Sequence, residues 1–173
     1  KFKPRESSSS FLISAKGSYL EQSSKILYAY HDTAGLPFNF ADFYGKASFN
    51  TGNGSKINFF GFNFNDRVKY KAVSNLNWIS YGAGSNFVVV PQNSTVLVEG
   101  NFSWSNYGIS MTEAADTTKR RTSTITGFNM GLTFTQFRNS NELKYGLEVL
   151  GYTTDFYFVN ALSRIIQQKE STT

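Results

Sequence analysis

The chain has 173 residues, enough for one domain, and it contains no run of about eighteen apolar residues that would form a transmembrane helix. It has no cysteine and one histidine, which excludes a disulfide framework and argues against a zinc enzyme. Charged residues make up only 17% of the chain, and the formal net charge of +5 suits nucleic acid, anionic lipid or no particular partner.

Seven runs of alternating polar and apolar residues follow one another along the chain. Strands of soluble proteins usually have about five or six residues, and most of these runs are clearly longer. They predict an all-β, antiparallel fold with seven long strands. The runs are residues 10–20, 42–50, 56–70, 75–90, 95–111, 122–138 and 142–159.

The breaks between the runs are of two kinds. Some are short and rich in Asn, Gly, Ser and Pro, which favour tight hairpin turns. Others are longer and more polar, and they predict loops. Short turns at one end and long loops at the other are typical of an outer-membrane barrel. The short breaks are 51–55, 91–94 and 138–141, and the long ones are 21–41, 66–74 and 111–121.

The clearest runs have one apolar and one polar face. In a membrane barrel the apolar face contacts lipid and the polar face lines a wet interior, whereas in a soluble fold the apolar face forms the core. Here the polar face is rich in Gly, Ser, Thr and Asn, and most runs can cross a bilayer, which takes about 9–11 residues. Both features favour the membrane barrel. The residues predicted to face lipid are Val96, Val98, Phe102, Trp104, Phe128, Met130, Leu132, Phe134, Leu143, Tyr145, Leu147 and Val149. Those predicted to face the lumen are Glu99, Asn101, Ser103, Ser105, Asn129, Thr133 and Glu148.

Two positions depart from this alternation. Phe59 breaks the register that Phe60, Phe62 and Phe64 set, and Trp78 falls on the polar face of its run. A β-bulge or an aromatic residue at the rim of a barrel would explain either departure.

Six short segments that each contain an aromatic residue follow one another along the chain. They are Ser10-Phe-Leu-Ile-Ser14, Leu36-Pro-Phe-Asn-Phe40, Asp42-Phe-Tyr-Gly-Lys46, Asn58-Phe-Phe-Gly-Phe-Asn-Phe-Asn-Asp66, Tyr81-Gly-Ala-Gly-Ser85 and Leu143-Lys-Tyr-Gly-Leu147. In order and spacing they resemble the barrel domain of TonB-dependent outer-membrane receptors. The resemblance implies a transmembrane β-barrel, 22-stranded in that family, that is filled by a separate plug domain. It also implies uptake of a scarce ligand, driven through TonB by the inner-membrane proton gradient.

Under this resemblance, residues 1–173 form a single segment of a larger outer-membrane β-barrel with no plug domain present. The expected location is the bacterial outer membrane. The expected partners are membrane lipid and lipopolysaccharide, the plug domain, the remaining barrel strands, and TonB acting through the plug; a surface lipoprotein partner is also compatible. Nucleic acid is not expected, because the aromatic residues share faces mainly with Val, Leu and Met.

Side chains that could carry catalysis are few. His31 and Asp32 lie in a predicted loop without a nucleophile or a metal-ligand spacing, so a solvated loop histidine is expected. Residues 82–85 are glycine-rich, but no helix follows them, and small residues in a barrel wall explain them better than a phosphate site does. We therefore expect no enzyme activity, no catalytic residues, no cofactor and no metal site.

Two further groups of charged residues leave alternatives open. Lys119, Arg120 and Arg121 could attract lipid or lipopolysaccharide phosphates, or simply form a hydrated loop tip. Glu99 and Glu148 could contact a plug or a ligand path, or simply hydrate the wall. Their use as a glycosidase pair depends on strand register, which the sequence does not give.

Two other architectures remain compatible with the pattern. One is a small self-contained outer-membrane barrel with a structural or adhesive role, which would need an eighth strand from residues 162–173 or from the N-terminus. The other is a soluble, lipocalin-like ligand-binding barrel with its apolar face turned inward.

Overall fold

Eight antiparallel strands form a single sheet in which every strand lies beside its neighbours in sequence. The computed structural model describes residues 7–27, 35–70, 73–115, 119–160, 162 and 164–172. The predicted all-β, antiparallel fold is therefore confirmed. The elements are β1 Ser8–Gly17, α1 Leu20–Leu27, β2 Phe38–Asn50, β3 Lys56–Tyr70, β4 Ser74–Val89, β5 Val96–Glu113, β6 Arg120–Arg138, β7 Asn141–Val159 and β8 Ile165–Thr172.

Strands β1 to β7 correspond to the seven predicted runs. The five strands from β3 to β7 have 15 to 19 residues each. Their registers are continuous, so the bulge suggested by Phe59 and Trp78 is absent from the pairing of β3 with β4. The eighth strand, β8, was not among the predicted strands because its sequence is short and mostly polar.

The three predicted tight turns are confirmed, and their residues show why. Asn93, Asn139 and Gly54 have positive φ angles of 58°, 54° and 94°. Asparagine and glycine tolerate this left-handed region better than other residues, which is why hairpin turns select them. In the first turn, the side-chain amide of Asn53 also donates a 2.9 Å hydrogen bond to the Val90 carbonyl of the neighbouring turn.

Two of the three predicted long loops are shorter than predicted. β3 continues to Tyr70 and β4 begins at Ser74, so most of the segment 66–74 is strand. β5 likewise continues to Glu113, and β6 begins at Arg120. Polar residues in these segments do not end the strands, because the backbone ladder continues wherever the neighbouring strand continues. The polar side chains in these segments therefore indicate the environment of the strands and not the positions where strand pairing ends.

The remaining predicted loop, 21–41, contains a helix that the sequence pattern did not reveal. The Leu20 amide donates to Ser18 Oγ (3.2 Å) where α1 begins, and Lys25 lies 3.2 Å from Glu21. The Leu36 amide donates to Ser24 Oγ (2.7 Å), so the chain contacts α1 just before β2 begins. In the part of the chain that the structure describes, no helix is long and apolar enough to cross a membrane.

The sheet is not closed, and its edges are β1 and β8. β8 pairs only with the last part of β7, from Tyr152 to Val159. The rest of β7, residues 141–151, therefore has β6 on one side and no described strand on the other.

Close approach between strands requires glycine in the middle of β4. A Cβ atom on Gly82 would lie 2.6 Å from the Trp104 carbonyl oxygen and 3.0 Å from the ring of Phe62. The Phe60 ring covers Gly84 in the same way, with its Cζ 2.6 Å from where a Cβ would be. Aromatic rings of β3 thus lie directly against the backbone of β4.

We predict that Gly82→Ala destabilises the sheet by about 1–3 kcal/mol, since the backbone of β5 must move to admit the methyl group. Urea unfolding followed by tryptophan fluorescence would measure this. Gly45→Ala is the matched control, because the nearest atom that the new methyl group would meet, in the ring of Phe43, would be 3.9 Å away. Equal stability of the two variants would contradict the close packing described for Gly82.

Candidate functional site

The strand register assigns every strand residue to one of two faces of the sheet. Residues directly opposite each other in an antiparallel pair point to the same side. We call the side that bears Val98 and Phe102 face I, and the side that bears Glu99 and Ser103 face II. The turn end is the end with the tight turns at 51–55, 90–95 and 139–140, and the loop end is the opposite one.

All twelve residues that were predicted to face lipid lie on face I. They belong to its turn-end half and lie opposite one another across the strands: Phe102 opposite Met130, and Leu132 opposite Leu147, for example. The same apolar surface continues across the sheet to the first edge. Its further members are Phe11, Phe49, Ile57, Phe59, Phe87 and Val89. We call this surface the apolar band.

The apolar band does not enclose a core. Phe102 is 48% exposed, Leu147 is 59% exposed and Phe11 is 72% exposed. Among the described residues, Val159 is the one buried hydrophobic side chain. The phenylalanines and leucines of the band therefore do not meet one another in a dry centre within the described part of the chain.

Aromatic pairs lie at both borders of the apolar band. Tyr81 and Trp104 contact each other at the border nearer the loop end, with ring centroids 5.7 Å apart. Phe134 and Tyr145 stack at 5.5 Å near the turn end. Between Val96 and Trp104 the strand rises about 26 Å, at about 3.3 Å per residue. At a barrel tilt of about 45° this corresponds to a band roughly 20 Å tall.

Beyond the band, face I becomes polar toward the loop end. Asn106 lies there and donates a 2.6 Å hydrogen bond to Thr126 Oγ1. Arg67, Lys69 and Arg120 share this part of face I. Cations and amides thus follow the apolar band on the same side of the sheet.

All seven residues that were predicted to face the lumen lie on face II, mostly toward the turn end. Three of them form a chain of hydrogen bonds: the Asn101 amide donates to Asn129, whose amide donates to Glu148 Oε1 at 2.6 Å. Glu99 forms a 3.6 Å ion pair with Lys144. Ser103 and Ser105 share the face but take no part in this network.

A polar depression of about 390 Å³ lies beside this network. Thr133 and Lys144 line it together with Asn101 and Glu148. On the same face the Asn58 amide donates to Asn86 Oδ1 at 2.6 Å, and Asn86 lies opposite Asn101. Amide side chains therefore form a row from β3 to β6, with Glu148 of β7 at its end.

Toward the loop end, face II becomes more apolar, which the sequence pattern did not reveal. Phe40 and Trp78 lie on either side of Asp66 in the register, and Val68 and Tyr107 are close by. The alternation predicted that Phe60, Phe62 and Phe64 set the apolar face of their run, but they lie on face II, and Phe59 lies in the apolar band of face I. Trp78, which departs from the alternation of its own run, also lies on face II. No bulge interrupts the register, so these aromatic residues form an apolar part of face II that begins at Phe60.

The other candidate residues have specific places. The basic triplet is divided: Arg120 lies on face I, whereas Arg121 lies on face II, 3.2 Å from Glu113 and 4.8 Å from the ring centre of Phe158. Arg121 is therefore not in a hydrated loop tip. Residues 82–85 lie within β4, in agreement with a wall of small residues.

The carboxylates offer no assembled reaction centre among the described residues. Glu99 and Glu148 lie on β5 and β7, with β6 between them, and each has its own partner. No group of three or more His, Asp or Glu side chains that could hold a metal ion forms in the described part of the chain. His31 and Asp32 lie outside the described residues.

Comparisons with protein-family models, with curated proteins and with solved structures found no match to this chain. The geometry of the two faces is thus the basis for assigning a function.

We predict that Asn129 and Glu148 are energetically coupled. In a double-mutant cycle, Asn129→Ala and Glu148→Ala should show a coupling free energy of about 0.5–1.5 kcal/mol in urea unfolding, because each removes the same hydrogen bond. The pair Asn129→Ala and Glu99→Ala is the control, with an expected coupling near zero. Coupling of equal size in both cycles would contradict the hydrogen-bond chain.

Proposed function

We propose that this chain is a section of the wall of an outer-membrane β-barrel, of the TonB-dependent receptor class, that takes up a scarce ligand into a bacterial cell. Face I would contact the acyl chains, and face II would line the wet interior around a plug domain. The observation that carries the proposal is the apolar band, which crosses seven strands on one side of the sheet and remains exposed.

The physical argument concerns whether water or lipid surrounds the apolar band. Moving a large apolar side chain out of water is worth about 1.5–3 kcal/mol. More than a dozen such side chains share the band, so water is an unfavourable solvent for it. A bilayer satisfies the band without a second layer of protein, and the aromatic pairs at its borders suit the two membrane interfaces. A lipocalin-like barrel is less well supported, since its apolar side chains would be turned inward.

The position of the cations on face I supports one orientation of the sheet in the membrane. Arg67, Lys69 and Arg120 lie on face I beyond the band, toward the loop end. Lipopolysaccharide phosphates lie just outside the hydrocarbon of the outer leaflet, and guanidinium and ammonium groups pair well with phosphate. The loop end would therefore be extracellular and the turn end periplasmic, as in other outer-membrane barrels.

The open edges support a barrel larger than these eight strands. In lipid, an unpaired backbone edge is very unfavourable because no water is available to its N–H and C=O groups. Residues 141–151 of β7 lie at the level of the apolar band and have no described strand on their outer side. We propose that remaining barrel strands continue the wall from this edge.

A self-contained barrel is the second candidate, because β8 supplies the eighth strand that it needs. Eight is also the smallest strand number of outer-membrane barrels. However, β8 reaches only the loop-end part of β7. Closing these eight strands would leave the band level of β7 unpaired, which favours the larger barrel.

In the proposed mechanism the wall itself is passive. Ligand would be captured at the extracellular loop end, where the segment containing α1 connects β1 to β2. TonB, pulling from the periplasm, would then remodel the plug, whose polar surface the amide row of face II would contact. A surface lipoprotein would be a further partner at the loop end.

We predict that Phe102→Arg lowers the amount of assembled barrel in the outer membrane, since an arginine near the middle of a bilayer costs about 2–4 kcal/mol on the lipid face of a barrel. Ser103→Arg is the matched control, one residue along β5 but on face II. The measurement is the amount of each variant, expressed in cells within its whole barrel, that fractionates with the outer membrane and shows heat-modifiable migration on a gel. Equal effects of both substitutions, or insertion unaffected by Phe102→Arg, would overturn the membrane assignment of face I.

The link to TonB needs its own test. We predict that antibody against this chain recovers TonB after cross-linking of intact cells, because TonB would engage the plug that the barrel holds. If the chain fractionates with the outer membrane but TonB is never recovered with it, the receptor assignment is rejected. An outer-membrane barrel of another class would then remain.

A further inference from the structure

The apolar region of face II forms a depression of about 420 Å³ at the loop end. Phe38, Phe40, Val68, Trp78 and Tyr107 line it. Arg67 and Asn39 also border it, from strand positions that belong to face I. Its size lies within the range of about 300–1,000 Å³ that is typical of small-molecule sites.

One carboxylate, that of Asp66, lies among these aromatic residues. In the register Asp66 is directly opposite Phe40 on β2 and Trp78 on β4. No hydrogen bond or ion pair joins its side chain to another residue in the described ranges. Tyr107 is 44% exposed, so the depression is open to a ligand from outside.

The other charged side chains on this part of face II do not neutralise Asp66. Asp42 lies diagonally across on β2, and Lys16 lies opposite Asp42 on β1. Glu113 and Arg121 form their own ion pair. Arg67 borders the depression, but its position in the register belongs to face I, so the charge that face II presents inside the depression is the carboxylate of Asp66.

We propose that this depression binds an organic cation, such as a quaternary or substituted ammonium group, with Asp66 as its counter-charge and Trp78, Phe40 and Tyr107 as its π surfaces. The ring faces of Trp, Tyr and Phe attract cations within about 6 Å. An anion would meet the carboxylate and gain nothing from the rings. A metal ion would find one carboxylate where about six oxygen ligands are needed.

This inference deepens the proposed function, because it names the ligand class that the loop end of face II would capture. It does not depend on face I. The depression belongs to β2, β3, β4 and β5 and faces away from the apolar band, so its binding can be measured whether or not the chain inserts into a bilayer.

The test compares choline with its neutral isostere 3,3-dimethyl-1-butanol. Titration calorimetry on the full chain in a non-ionic maltoside detergent should show choline binding at least about tenfold more tightly than the isostere, since only choline carries the charge that the rings and Asp66 attract. Asp66→Asn keeps the shape of the side chain and should weaken choline binding by about tenfold. Trp78→Leu should weaken it similarly, and Trp78→Phe should restore part of the affinity.

Asp155→Asn is the control, because Asp155 lies on face I at the loop end of β7. It should leave choline binding unchanged. Absence of choline binding, equal affinity for the two probes, or binding that survives Asp66→Asn would each overturn the organic-cation site. If choline binds but Phe102→Arg does not affect membrane insertion, the organic-cation site stands and the membrane wall is rejected. The two proposals can therefore fail separately.

Discussion

The central constraint on this structure is that one face of a single sheet carries many apolar side chains and, in the described part of the chain, no second layer of protein covers them. A strand presents alternate residues to opposite sides, so a long alternating run produces two continuous surfaces of different character. In most folds a second layer covers the apolar surface. Here the described residues supply no such layer, and side chains from Phe11 to Leu147 stay exposed. Backbone hydrogen bonds between the strands hold the sheet together. Whether the apolar band contacts water, lipid or protein then determines which class of protein the chain can belong to.

The second organising feature is the reversal of polarity along each strand. On β7, Leu143 and Leu147 belong to face I, whereas Phe156 and Phe158 belong to face II. The strand continues without a bulge, so the reversal comes from the sequence and not from a slip in register. Large apolar side chains are therefore concentrated in the turn-end half of face I, whereas face II carries aromatic side chains of its own toward the loop end.

The sequence predicts some of these features well, because they follow from local rules. Period-two alternation located seven strands, and Asn and Gly located the hairpin turns through their tolerance of positive φ. Strand ends were predicted poorly where polar residues such as Thr112 continue a strand, since the backbone ladder and not side-chain polarity decides where pairing stops. The helix α1 is too short to show a clear period. The amide row and the position of Asp66 between Phe40 and Trp78 depend on register between distant segments, which no single run contains.

The order of the strands has a consequence for how such a wall is made. Every strand pairs with the strand before it in the chain, and no pairing joins distant segments across the sheet. Contacts of this kind close only short loops, which keeps the entropy cost of each step small. The sheet can therefore lengthen by one hairpin at a time, with the newest strand serving as the template for the next.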